Sequence, residues 1–373
     1  MDKRIYLNNA ATSWPKPDGV AEAVKKALEA LPGSMHRGGI EDFDVFAAVR
    51  QRMARLMGVA DGEDIALGPN ATWGLNLALH GFPLEAGDVV IATKAEHNSV
   101  LRPLHDREAR EGIRVLYLDT DETGCVRAEA WEEALKKHRP KLAVFPHASN
   151  VTGAVHDAAA MAALAKSFGA AVLLDASQSL GWIPVEADSW GIDMLAFTGH
   201  KYLLGPQGTG GLFVRKGIRL RPWLQGGTGI HSDLAEMPVE MPLHLEAGTG
   251  NEPSFHGLLA ALEWAGEHPL ETAEISSLVL CLREGLQEAG ARVILPEGET
   301  TPVVSFTLPG ESAADVGYLL EESYDIICRT GLHCAPKIFS CLGVPETVRL
   351  SLSRFTSREE IHAVIEAVRD IRG

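Results

Sequence analysis

Asp157-Ala-Ala-Ala-Met-Ala-Ala-Leu-Ala-Lys-Ser-Phe-Gly169, followed after one residue by Ala171-Val-Leu-Leu-Asp175, decides the fold. The first stretch predicts a helix over 158–168. Asp157 is placed to cap its start, and Gly169 suits the left-handed residue beyond its end. The second is a short, nearly continuous apolar run, and Val89-Val-Ile-Ala-Thr93, Leu142-Ala-Val-Phe-Pro146 and Met194-Leu-Ala-Phe-Thr198 share its character. Such strands need both faces covered, which predicts a parallel sheet between crossover helices. Further along, Val303-Val-Ser-Phe-Thr307 and Val348-Arg-Leu-Ser-Leu352 alternate as half-buried strands do, flanking a helix near 313–322. The last helix opens on a capping box, Ser357-Arg-Glu-Glu360, and its Ile361, Val364, Ile365, Val368 and Ile371 follow the helical period, so one face should pack on the small sheet. The expected fold is α/β. A large domain over 16–265 carries a mostly parallel sheet between helices, and a smaller α+β domain is built from 1–15 and 266–373.

The chain has 373 residues, 46% hydrophobic and 23% charged, which excludes a disordered or collagen-like chain. Its net charge of -16 repels phosphate backbones and anionic membranes, and no basic stripe offsets it, so nucleic acid and membrane are excluded as partners. The opening Met1-Asp-Lys-Arg-Ile5 lacks the apolar core of a secretory signal, and no apolar run is long enough to span a bilayer. The expected location is the cytoplasm. Five scattered cysteines, an odd number, fit a reducing compartment better than a disulfide framework. Neither Cys328-x5-Cys334 nor Cys334-x6-Cys341 has the tight spacing of a zinc knuckle, so no metal is expected.

In an open parallel sheet, ligands bind beyond the carboxyl ends of the strands. There this sequence places Glu96 and His97, His147 and Asn150, Asp175 and Gln178, and Thr198, His200 and Lys201. Each has a plain alternative: a satisfied histidine, a turn-capping aspartate, a solvated lysine. Four consecutive strand ends offering carboxylate, imidazole, amide and amine to one crevice point instead to function. Gly68-Pro-Asn-Ala-Thr72 precedes an apolar helix over 73–79, so the Ala71 and Thr72 amides lie at a helix N-terminus suited to an anion. Gly205-Pro-Gln-Gly-Thr-Gly-Gly211 is no Walker loop, because no Gly-Lys-Ser/Thr follows, and reads as a place of close backbone approach. A phosphate anchor, a carboxylate, a stacking imidazole and a nucleophilic amine are together what pyridoxal phosphate needs.

These residues resemble a known family: the class V aminotransferases among fold-type I pyridoxal-phosphate enzymes, and within them the cysteine desulfurases. The resemblance spans nearly the whole chain. It rests on Leu7-Asn-Asn-Ala-Ala-Thr12, Ala95-Glu-His-Asn98, Ser149-Asn-Val-Thr-Gly153, Asp175-Ala-Ser-Gln178, Thr198-Gly-His-Lys201, Glu246-Ala-Gly-Thr249, Arg329-Thr-Gly-Leu-His-Cys-Ala335 and Arg349-Leu-Ser351. It implies that the large domain binds the cofactor, with Lys201 as Schiff-base lysine, Asp175 on the pyridine nitrogen, His97 on the ring and Gln178 at the ring hydroxyl. Thr72, Thr198 and His200 would hold the phosphate. Thr249 would reach the phosphate of a neighbouring subunit, which implies a homodimer. Asn150, Arg349 and Arg329 would bind the substrate.

Cys334 decides the chemistry. In the family this cysteine takes sulfur from L-cysteine, releases alanine and becomes a persulfide that supplies an acceptor protein, as in iron-sulfur cluster assembly. Neighbouring His333 and Arg329 are placed to favour its thiolate, and Gly331 permits a tight loop. Cys328 lies on an apolar run and reads as core. The short 329–335 loop resembles the second group of desulfurases, whose cysteine is recessed. Three rival readings stand beside this one: a selenocysteine lyase acting on L-selenocysteine, a class V aminotransferase or epimerase that does not use Cys334, and a non-catalytic scaffold for sulfur carriers.

Overall fold

A computed structural model describes residues 4–31 and 43–373, so residues 1–3 of the predicted 1–15 segment lie outside the described residues. Seven strands form the larger sheet. Across it run Ile65–Gly68, Gly210–Val214, Met194–Thr198, Ala171–Asp175, Leu142–Pro146, Val89–Thr93 and Arg114–Leu118. The last five are mutually parallel, while Gly210–Val214 runs antiparallel to both its neighbours.

Side chains alternate between two apolar layers, as the two-residue period of a strand requires. Ala143, Phe145, Val172, Leu174, Leu195 and Phe197 enter one layer, covered by helices Val45–Met57, Ala128–His138, Ala158–Ser167 and Glu252–Glu267. Leu142, Val144, Leu173, Met194 and Ala196 enter the other, under helices Ala71–Gly81 and Asn98–Glu111. Each large side chain so buried contributes about 1.5–3 kcal/mol, and none has a water-facing alternative.

The glycine stretch 205–211 is only partly a loop, because its last two residues begin strand Gly210–Val214. The close approach itself is real. A Cβ on Gly210 would lie 2.6 Å from the Cα of Asn70 and 2.7 Å from the carbonyl of Phe197. Glycine weakens a strand by propensity, so the sequence hides an element that packing demands.

The smaller sheet is antiparallel, in the order Arg329–Gly331, Thr347–Ser351, Val303–Thr307 and Arg292–Val293. Its core joins Val304, Phe306, Val348 and Leu350 to Leu282, Leu320, Val364 and Val368 of helices Thr272–Glu288, Ala313–Tyr324 and Arg358–Arg372. The last helix has its capping box: Ser357 N donates to the Glu360 carboxylate at 2.7 Å, and Glu360 N to Ser357 Oγ at 3.2 Å. Its apolar face meets the two other helices as well as the core of the sheet, with Ile365 against Gly285. At the other end of the chain, Ile5–Tyr6 pairs in parallel with Ile326–Ile327, and Leu7 is buried in the same core. No helix among the described residues is long and apolar enough to cross a membrane.

One buried ion pair ties distant segments together. Arg50 Nη2 donates to both Glu246 carboxylate oxygens at 2.7 Å, Leu67 N donates to Glu246 Oε1 at 2.6 Å, and both side chains are at most 5% exposed. Truncating one member strands the other charge in the interior. Glu246→Ala therefore should cost about 3–5 kcal/mol in chemical denaturation, whereas Arg52→Ala, which breaks the exposed pair with Glu263, should cost under about 1 kcal/mol.

Candidate active site

Strand register brings the predicted polar residues to one edge. Pro146 lies opposite Asp175, and Asp175 opposite Ala196, so the chain reaches His147, Asp175 and Thr198 at neighbouring strand ends. A cavity there is lined by Ala71, Thr72, His97, Asn150, Asp175, Gln178, Thr198, His200 and Lys201. The helix at its rim starts at Ala71, two residues earlier than the sequence predicts, because Asn70 caps it by accepting from Trp73 N at 2.9 Å. That bond leaves the amides of Ala71 and Thr72 as terminal donors at the positive end of the helix.

Lys201 keeps some solvent contact through the cavity but is surrounded by protein, and its depth sets its charge. Burial lowers its amine to about 8; Arg349 and Arg329 push the same way, and Asp175 opposes them. Burial, then the charge of Lys201, lowers both His97 and His200 to about 4, so both rings are neutral at pH 7. Asp175 is itself oriented: Ser177 N at 2.9 Å and Ser177 Oγ donate to its Oδ1, which leaves Oδ2 for a ligand. Next to His97, Glu96 is fully buried, and burial holds its carboxyl well above the usual carboxylate range. Burial thus disfavours a second negative charge beside Asp175.

Beyond this lining lie Cys334, Arg329, Arg349 and Thr249, together with Glu96 and His147 of the strand-end residues. Cys334 lines an adjoining surface groove, whose wall of Thr72, His97 and Ser99 is shared with the cavity. Arg329 Nη2 donates to Cys334 Sγ at 2.9 Å. Arg349, fully buried, donates to the Asn150 carbonyl at 2.8 Å and to Asn8 Oδ1 at 3.1 Å. Burial, then Arg329, lowers it to about 10, still cationic at neutral pH. The Asn150 amide nitrogen donates to the His333 carbonyl at 2.7 Å, so it ties the cysteine loop to the cavity wall. Thr249 stands apart, exposed three residues beyond the anchored Glu246.

The structure corrects the role expected of His333. The residue is 2% exposed, its Nε2 pairs with Thr347 Oγ1 at 2.9 Å, and burial with Arg349 and Arg329 lowers its ring to about 2. A ring that stays neutral brings no charge to the thiol; Arg329 alone of the two does. Cys328 is half-buried against the second core, where burial raises its thiol to about 12.

The donor set suits a phosphate-bearing aromatic aldehyde. The helix-terminal amides take an anion, the amine takes a carbonyl carbon, and the carboxylate takes a basic ring nitrogen. Gln178 Oε1 and His200 Nδ1, both on residues that line the cavity, are buried without a hydrogen-bond partner among the described residues, as is Arg349 Nε behind it, and buried polar atoms of this kind call for a partner. Sequence reasoning missed Ser99, Ser177 and Lys16. The serines follow His97 and Asp175 by two residues, a spacing at which a side chain meets the backbone locally. Lys16 carries no such signal. Its Nζ donates to Ser13 Oγ at 2.7 Å and to the His200 carbonyl at 3.2 Å, and burial lowers it to about 8.

Comparison with known proteins finds relatives over nearly the whole chain. A cysteine desulfurase of Pectobacterium atrosepticum is 30% identical over 98% of this chain and 92% of its own. A probable cysteine desulfurase of Mycobacterium leprae is 31% identical over 97% of this chain and 90% of its own. Among solved structures, the apo cysteine desulfurase of Thermococcus onnurineus superposes with a TM-score of 0.91 at 29% identity, covering 99% of this chain and 94% of that one. The cysteine desulfurase CsdA of Escherichia coli, in its S-sulfonic acid form, superposes with a TM-score of 0.87 at 28% identity, covering 98% and 94%. The fold is that of the fold-type I pyridoxal-phosphate enzymes. The aminotransferase class-V profile matches residues 5–364, and the chain belongs to that family.

Proposed function

We propose that the protein is a pyridoxal-phosphate-dependent cysteine desulfurase, which converts L-cysteine to L-alanine and takes the sulfur onto Cys334. The observation that carries this reading is the pairing of a depressed amine, Lys201 beside Asp175, with a thiol that accepts a guanidinium hydrogen bond in the adjoining groove. Pyridoxal phosphate, when bound, supplies an aldehyde and a pyridine ring able to accept the electron pair left at the substrate Cα.

Ala71, Thr72, Thr198 and His200 would hold its phosphate, Asp175 its ring nitrogen, Gln178 its ring hydroxyl and His97 its ring face. Lys201 is the tethering amine. Once L-cysteine has replaced it, the neutral amine moves a proton at the substrate Cα. Arg349, with Arg329 and Asn150, orients the substrate carboxylate, for which a guanidinium fork is well matched. Arg329 also stabilises negative charge on Cys334. The carbon–sulfur bond of L-cysteine breaks and a sulfur–sulfur bond to Cys334 forms, so that L-cysteine plus thiol gives L-alanine plus persulfide. The body over 16–265 serves as the cofactor domain, with 1–15 and 266–373 as the smaller domain bearing the cysteine loop. The exposed Thr249 supports a homodimer in which it reaches the other subunit's phosphate, with a cytoplasmic sulfur-acceptor protein receiving the persulfide.

Incubation with L-cysteine should yield equimolar alanine and a persulfide located at Cys334 by mass spectrometry, while Cys334→Ala keeps the cofactor absorbance and loses at least about 100-fold of sulfur release. Turnover of L-selenocysteine alone, or full sulfur release by Cys334→Ala, would overturn the assignment. Apoprotein should capture added pyridoxal phosphate, read as a borohydride-stable label on the Lys201 peptide, faster as pH rises through about 8. The amine attacks only after losing its proton, so the rate should fall about tenfold per pH unit below that point. Absence of label at Lys201 would remove the cofactor from the account.

A further inference from the structure

The ring of His97 is held by a residue to which the proposed chemistry gives no part. His97 caps helix Asn98–Glu111, and its Nδ1 accepts the backbone N–H of Ser99 at 3.1 Å. A backbone amide can only donate, so Nδ1 is an acceptor, and in the neutral ring the proton sits on Nε2. The Ser99 hydroxyl lies 2.8 Å from the same nitrogen and 2.7 Å from Thr72 Oγ1. Because Nδ1 carries no proton, Ser99 Oγ–H donates to it, and the Ser99 oxygen accepts the Thr72 hydroxyl proton. The three groups form one directed chain, Thr72 to Ser99 to His97, in the wall between the cavity and the Cys334 groove. Ser99 is 8% exposed, so water does not readily replace it.

We infer that Ser99 is a positioning residue whose amide and hydroxyl together lock His97 as the neutral Nε2–H tautomer, leaving a donor at the nitrogen on the far side of the ring. The inference rests on the desulfurase reading only in what that donor serves; the hydrogen bonds are independent of it. The charged groups acting on His97 are Lys201, Arg329 and Arg349, which disfavour a second proton, and Asp175, which favours one. Cys334 and Arg102 line the groove beside it. Ser99 works on the neutral ring instead: a hydroxyl that donates to Nδ1 stabilises that nitrogen unprotonated.

The test is Ser99→Ala in cofactor-loaded protein carrying 15N-labelled histidine, with the His97 signals identified by their loss in His97→Gln. The His97 titration midpoint should rise by about half to one pH unit, the backbone amide that remains at position 99 should keep the Nε2–H tautomer, and the acidic limb of kcat should move up with the midpoint. Ser99→Thr, which keeps the hydroxyl, should restore the parent values, and Ser99→Cys, a weaker donor, should fall between. Should Ser99→Ala not fold, the graded order of Thr and Cys carries the test alone. An unchanged midpoint in these variants, or an Nδ1–H tautomer in the parent protein, would overturn the inference. A shifted midpoint in protein that leaves L-cysteine intact would uphold Ser99 and sink the desulfurase reading; an unshifted one in active enzyme would do the reverse.

Discussion

An amine kept deep inside a protein must give up much of its affinity for a proton, and the rest of this site is arranged around that constraint. Desolvation lowers Lys201, two guanidiniums push further, and the carboxylate of Asp175 limits the fall. Without Asp175 the cavity would hold an uncompensated cluster of cations; with a second carboxylate ionised it would lose its preference for anions. Burial of Glu96 works against that second charge, and the neutral rings of His97 and His200 act through hydrogen bonds rather than through charge. A chain with a net charge of -16 thus sets three cations, Lys201 in the lining and Arg329 and Arg349 close behind it, against the one lining carboxylate of Asp175, as a phosphate and an amino-acid carboxylate require.

Geometry at the thiol is obtained at a local cost. His333 and Cys334 both adopt left-handed backbone, with φ of 49° and 61°, a region that costs a non-glycine residue on the order of 1 kcal/mol or more. The loop is kept there from several directions. Asn150 donates to the His333 carbonyl at 2.7 Å, Asn98 N to the Cys334 carbonyl at 2.7 Å, and Ala335 N to the Leu332 carbonyl at 2.8 Å. Asn98 opens the helix that His97 caps, so the cysteine loop and the histidine that faces the cavity share one support. Movement of either would be felt by the other.

Much of the fold was legible because burial on two faces leaves a plain mark on a strand. Four of the central strands are continuous apolar runs, and the crossover helix at 158–167 carries its cap at Asp157 and its left-handed glycine at 169. Gly210–Val214 was not legible as a strand, since its glycines answer to Asn70 and Phe197 across the sheet and not to their own propensity. The lining of the cavity was legible for a related reason: polar residues at four successive strand ends have little else in common. The serines beside His97 and Asp175 were not, because a serine in a turn looks the same whether it orients an imidazole or merely closes the backbone.

The sequence by itself determined which groups the site can contain, the parallel order that gathers them, and the family to which the chain belongs, since each follows from residue type, periodicity or local motif. Only the tertiary structure decided their protonation and their partners. Whether His333 or Arg329 acts on Cys334, whether Glu96 is charged, and which nitrogen of His97 holds the proton depend on burial and on distances between segments far apart in the chain. Desolvation and hydrogen bonding are properties of an enclosed volume, and no stretch of sequence contains that volume.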